Sequence, residues 1–209
     1  MKLTFISDTH LKHDELELTT GDVLVHCGDF SRRGSKEDIS EFLEWFSVQR
    51  FKHKLFVAGN HDFGFENENK KWAEELSARL GLVYLNDSGV EIQGCRFWGS
   101  PVQPEFYNWA FNRKRGDEIQ KHWDQIPSNT DVLITHGPPY GVLDLCSHGE
   151  RVGCKNLLEE FNRIKPKIHA FGHIHEDYGI VTKDEITFVN ASILDEKYEN
   201  KNNPIVIEL

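Results

Sequence analysis

Lys167-Ile168-His169-Ala170-Phe171-Gly172-His173-Ile174-His175 is a short apolar run closed by a glycine and two imidazoles one residue apart. Side chains alternate faces along extended backbone, so both rings can serve one centre only if the chain bends after Phe171. Gly172, which has no Cβ, is expected to provide that bend. Alone, a His-x-His step fits two surface histidines in a loop equally well. What gives it weight is that the same design recurs along the chain.

Four other runs end the same way. KLTFIS runs into Asp8-Thr9-His10, DVLVHC into Gly28-Asp29, KLFVA into Gly59-Asn60-His61-Asp62, and DVLIT into His136-Gly137. Each is a brief β-rich segment followed at once by Asp, Asn or His, usually with glycine alongside. In α/β sheets, ligands gather beyond the carboxyl ends of the strands. Five strands delivering oxygen and imidazole donors to one edge are poorly explained by core packing and well explained by a metal site.

The 209 residues suit a single domain spanning 1–209. A net charge of −10 argues against a large nucleic-acid surface or an anionic-membrane binder. An anionic small molecule still fits, provided bound metal reverses the charge locally. Cys27, Cys95, Cys146 and Cys154 form no CxxC pair. Cys146 and Cys154, with His148 between them, leave open zinc or a disulfide, but incidental thiols in a reducing cytoplasm are the simpler reading. The apolar start MKLTFISD is too short for a signal peptide, and no stretch approaches membrane-spanning length. A cytoplasmic protein is expected, its oligomeric state open.

In chain order, strands are expected at 2–7, 23–27, around 54–58, within 82–98, at 131–135, 167–171, 178–183 and 186–190, and in the closing PIVIEL. Ser35 and Asp38 have capping-box spacing ahead of a helix carrying Ile39, Phe42, Leu43 and Phe46 and ending near Arg50. Further helices are expected through Trp72, Leu76 and Leu80, at 117–124, and at 154–164. Segment 99–116, with its prolines, Phe106, Tyr107, Trp109 and a basic cluster, breaks the alternation. It is either a surface excursion pinned by aromatics or a wall of a substrate pocket. His26 and His169, inside strands, are expected to be hydrogen-bonded core residues, while His13, His53, His122 and His148 have no partner pattern; His148, in the 141–153 loop, could still approach the pocket.

The donors are Asp8, His10, Asp29, Asn60, His136, His173 and His175. That exceeds one tetrahedral zinc site, and the mix without thiolate suits two divalent ions sharing a carboxylate: manganese first, with iron, zinc or nickel also compatible. Two ions about 3.5–4 Å apart clamp an in-line displacement at phosphorus and ionise a water near neutral pH as its nucleophile.

The ordered set DTH, GD, GNHD, HGPP and GHIH resembles the calcineurin-like metallophosphoesterase superfamily. GSPVQPEFYNWAFN, RVGCKNLL, IKPKIHAFGHIHEDYG and NPIVIEL are similar to its metallophosphoesterase-domain-containing subfamily, so the resemblance covers nearly the whole chain. It implies a four-layer α/β/β/α sandwich of two mostly mixed sheets flanked by helices. It implies Asp8, His10 and His175 on one metal and Asn60, His136 and His173 on the other, with Asp29 bridging and His61 as general acid. Asp62 either orients His61 or caps the next segment. The activity implied is phosphoester hydrolysis, with cyclic or short nucleotide phosphodiesters favoured. A phosphomonoesterase or nucleotide pyrophosphatase, or a metal-stabilised interaction scaffold, are the alternatives. One departure matters: many relatives read GDxxDRG where this chain has GDFSRRG, so Arg32 replaces an aspartate that often backs the catalytic histidine. A His–Asp dyad is therefore in doubt. Arg33 is read as a phosphate contact or a solvated charge at a helix start. Asn112, Arg113 and Arg115 are read as contacts to a second substrate moiety or as a solvent-facing polar cluster.

Overall fold

The computed structural model describes residues 1–209. Its strands, numbered along the chain, form two main sheets. In the first, β1 (Lys2–Ile6), β2 (Gly21–His26), β3 (Phe51–Phe56) and β4 (Val83–Tyr84) are parallel neighbours, and the last strand, β13 (Ile205–Glu208), lies antiparallel outside β1. In the second, β6 (Cys95–Ser100), β9 (Val132–Thr135), β10 (Ile168–Phe171) and β12 (Ile186–Asn190) run parallel. Antiparallel β5 (Ser88–Ile92) and β11 (Gly179–Lys183) form its edges. Both sheets are mixed, as the sequence implied.

The period-2 pattern sorts side chains into layers. Leu3, Phe5, Val23 and Val25 face the second sheet and pack with Val132, Ile134, Ile168 and Ala170, all essentially inaccessible. Ile6 and Leu24, on the opposite face, pack under the helices. Those helices are α1 (Lys36–Ser47) and α2 (Lys70–Arg79). Ser35 caps α1 by accepting from Asp38 N at 3.0 Å, and Ile39, Phe42, Leu43 and Phe46 form its buried stripe. On the far side, α3 (Asp117–Trp123) and α4 (Lys155–Glu160) cover the second sheet through Trp123, Ile119 and Leu157. Helix, sheet, sheet, helix is the four-layer order expected.

Two elements differ from the sequence reading. The α4 helix stops at Glu160, and Phe161 and Ile164 turn under the sheet instead of extending it. Segment 99–116 contains a small parallel pair, β7 (Gln103–Pro104) and β8 (Asn112–Arg113). Two-residue strands leave no periodicity to find. No helix is long and apolar enough to cross a membrane.

Candidate metal centre

β1, β2 and β3 of one sheet and β9 and β10 of the other end at a common rim, and the residues just beyond them converge. Backbone geometry there is unusual: Asp8, His10, Asp29 and His173 have φ of 54°, 41°, 58° and 71°. Left-handed conformations are uncommon for non-glycine residues and concentrate at functional sites. The bend after β10 accordingly falls on His173 and not on Gly172. Gly172 is required for another reason, because a Cβ there would collide with Asp8 Oδ2 and Ser7 Oγ. Gly59 likewise leaves room for Asp29 Oδ1.

Four imidazoles are oriented by one device. The Nδ1–H of His10, His61, His136 and His175 donates to the main-chain oxygens of Ser31, Arg32, Cys27 and Asp195, at 3.2, 2.8, 2.9 and 3.0 Å. This fixes the tautomer and aims each Nε2 inward, the arrangement that metal-ligating histidines use. Asp29 Oδ2 lies 3.4 Å from His136 Nε2, 3.9 Å from His10 Nε2 and 4.0 Å from His61 Nε2. Asp8 Oδ1 lies 3.4 Å from His175 Nε2, and Asn60 Oδ1 lies 2.9 Å from His136 Nε2. Ligand atoms of Asp8, His10 and His175 fall within 4.8 Å of one another, as do those of Asp29, His136 and His173 and those of His10, Asp29 and His61.

This donor set fits divalent cations. Asp8 Oδ1 and His10 Nε2 are buried without any hydrogen-bond partner, an arrangement that costs stability unless something binds them. Burial disfavours the charged ring of His136, yet Asp29 beside it lifts this imidazole to about 9. His175 is likewise raised to about 9 against burial, by the Asp8 carboxylate whose Oδ1 faces its Nε2 at 3.4 Å. Burial pushes His10 down to about 4 and His173 to about 3. Burial opposes ionisation of Asp8 and Asp29, but the facing imidazoles hold both below the usual carboxylate range. The metal-free centre thus keeps protons on two inward-facing nitrogens, where cations would replace them.

Asp62 departs from both sequence expectations. It neither touches the His61 ring nor caps the following 3-10 turn. Its fully buried carboxylate accepts from the backbone N–H groups of Gly59, Asp29 and Ser31 at 2.7, 2.9 and 3.0 Å, and from Ser31 Oγ at 2.6 Å. It therefore joins the loop after β2 to the loop after β3. The main-chain oxygen of Arg32, which survives any side-chain change, holds His61, so orienting this ring requires no aspartate at position 32.

The residues open onto a cleft of about 270 Å³ walled by Phe106, Trp109 and Tyr198, with Glu176 and Glu196 among its lining. Segment 99–116 is thus a pocket wall. Trp109 stacks on His61 at 4.3 Å between ring centres, and exposed Arg33 lies 5.1 Å from the centre of the Trp109 ring. Asn112 and Arg113 do not line the cleft. Asn112 Nδ2 donates to the oxygens of Phe106 and Tyr107, and Arg113 pairs with Glu66 at 3.1 Å, so both brace the wall from behind. The sequence reading missed Ser192, which donates to Asp8 Oδ2 at 2.9 Å, and Tyr198, whose ring centre is 4.9 Å from that of His10. Both follow β12, whose run ITFV ends on Asn190, and Asn190 accepts from Ser192 Oγ at 2.8 Å, so the run carries the same signal and was passed over. His26 and His169 are core residues, as expected, hydrogen-bonded to Thr9 and Thr135 at 3.0 and 2.8 Å.

Comparison with known proteins accords with this geometry. Residues 1–177 match the sequence profile of the Calcineurin-like phosphoesterase family. The chain belongs to that family. Human Metallophosphoesterase domain-containing protein 1 is 38% identical over 98% of this chain and 69% of its own length. Among solved structures, the TT1561 protein of Thermus thermophilus superposes with a TM-score of 0.61 at 11% identity, covering 90% of this chain and 88% of the other. The GAP50 anchor in the inner membrane complex of Plasmodium superposes with a TM-score of 0.57 at 10% identity, covering 99% and 80%. At such identities these two structures report the fold alone. Membership of the calcineurin-like phosphoesterases makes metal-dependent phosphoester hydrolysis the activity class.

Proposed function

We propose that this calcineurin-like phosphoesterase is a dinuclear phosphodiesterase acting on cyclic or short nucleotide diesters. Asp8, His10 and His175 would hold one ion and Asn60, His136 and His173 the other, with Asp29 shared. The observation that carries the reading is Asp29 Oδ2, which lies within 4.0 Å of Nε2 on His10, His61 and His136. When bound, two divalent ions screen phosphate charge and make a water nucleophilic near neutral pH. His61 gives Nδ1–H to Arg32, so any proton it passes to a leaving oxygen sits on Nε2, which faces the cleft. Trp109 holds the plane of that ring.

Charge favours a diester. The cleft is lined by no lysine or arginine, and Glu176 and Glu196 add negative potential. A monoester dianion gains nothing there beyond the metals, whereas a diester brings one negative charge and less repulsion. The test is hydrolysis of bis(p-nitrophenyl) phosphate against p-nitrophenyl phosphate after chelation and reloading with manganese. A kcat/KM at least about tenfold higher for the diester is expected. Equal rates would support the monoesterase alternative, and no turnover with manganese, nickel, iron or zinc would support a scaffold.

A further inference from the structure

A second, more enclosed chamber of about 440 Å³ adjoins the metal cleft, and the two share Phe106, His173 and Glu176 as a common partition. Pro104 and Tyr107 line one side of the chamber, and Pro138, Val152 and Ile174 complete its apolar lining. Pro138 follows His136-Gly137, and Ile174 stands between two of the donor histidines, so the chamber is built on the same strand ends as the centre. Arg115 fastens its Val152-Gly153 side by donating to both main-chain oxygens at 2.8 Å. The volume falls within the range of small-molecule sites, which pair apolar walls with a few polar groups.

We infer that this chamber receives a flat aromatic or heteroaromatic ester group of the substrate, the one that stays on phosphorus. This rests on the phosphodiesterase reading and adds a direction to it. His61 lines the cleft but not the chamber, so the group beside His61 departs and the group in the chamber is retained. In the balanced step, a water oxygen bonds to phosphorus and the P–O bond on the His61 side breaks. The leaving oxygen takes a proton from His61 Nε2, and the water proton is lost to solvent. For a linear diester the products are an alcohol and a monoester whose organic group lies in the chamber lined by Phe106 and Pro138; for a cyclic diester the freed hydroxyl stays on that same product. A methyl group would leave the chamber unfilled, whereas a planar ring can stack on Phe106 and bury apolar area.

A native thiol reports on occupancy. Cys146 lines the chamber and is partly accessible, whereas Cys27 and Cys154 are buried and Cys95 lies on β6, outside the chamber, as an internal control. Burial, then Glu176 and Asp144, raise the Cys146 thiol, so alkylation is best run under mildly alkaline conditions. In the manganese-loaded protein, saturating phenylphosphonate should slow N-ethylmaleimide modification of Cys146 at least about fivefold, read by peptide mass spectrometry. Methylphosphonate should change it less than about twofold, and chelation should abolish the protection. No protection by phenylphosphonate, or equal protection by methylphosphonate, overturns the assignment. As a second arm, the Cys146 adduct should raise KM for bis(p-nitrophenyl) phosphate about tenfold and leave methyl p-nitrophenyl phosphate within about twofold, with Cys146→Ser insensitive to the reagent. Equal losses on both esters also overturn it. If untreated protein hydrolyses no diester while phenylphosphonate still shields Cys146, the diesterase reading fails and takes the retained-group direction with it, an outcome distinct from a chamber that binds no ring.

Discussion

His61 and Asp62 are adjacent in sequence and live in opposite surroundings. The first faces the cleft with a free Nε2, and the second is sealed among four donors. His61→Gln should therefore keep both metals, measured by elemental analysis, while kcat falls about 10²- to 10⁴-fold. Loss of metal in that variant would make His61 a ligand, a role its closeness to Asp29 and His10 also permits geometrically. His136 and His175 give a second prediction. Raised from 6.5 to about 9 in the metal-free protein, both are protonated at neutral pH. Loading two manganese ions in weak buffer should release about two protons, and the apparent affinity should rise with pH until about 9. Release of none would mean these nitrogens are not ligands. The donors were legible in the sequence because each is a ligand-type residue directly after an apolar run. The tie made by Asp62 was not, because apart from Gly59 its partners, Asp29 and Ser31, come from a loop some 31–33 residues away and nothing local announces them.

At the scale of elements, strand ends set the site and glycines let them meet. Gly172→Ala places a methyl group against Asp8 Oδ2, which is already held by His173 N and Ser192 Oγ at 2.9 Å each. Metal affinity should drop at least about tenfold, or ~1.4 kcal/mol, by titration calorimetry. Unchanged affinity would show that the centre tolerates the shift. The sequence pointed to Gly172 for the wrong reason. A flexible residue was expected at the bend, but His173 takes the positive φ and glycine provides clearance, a tertiary contact invisible along one strand. Strand β10 also carries His169, which burial pushes from 6.5 down to about 3. It is neutral when folded and protonated when unfolded in mild acid, so its contribution is complete above 6.5 and is lost as pH falls toward 3. In metal-free protein, His169→Gln should lose about 2 kcal/mol less stability than the parent between pH 7 and 5, measured by urea unfolding. Parallel pH profiles would contradict this.

Across the whole molecule, two mixed sheets bring their carboxyl ends to one rim, with helices on both outer faces. That architecture followed from β-rich runs alternating with amphipathic helices and from the family resemblance. The chamber beside the centre did not, because its walls come from segments 103–107, 137–138 and 146–153, which meet only after folding. The central claim is that two cations share Asp29, and the direct measurement is an anomalous-scattering map from manganese-loaded crystals. Two peaks about 3.5–4 Å apart, both beside the Asp29 carboxylate, are predicted. A single peak, or two peaks with Asp29 touching only one, would contradict it.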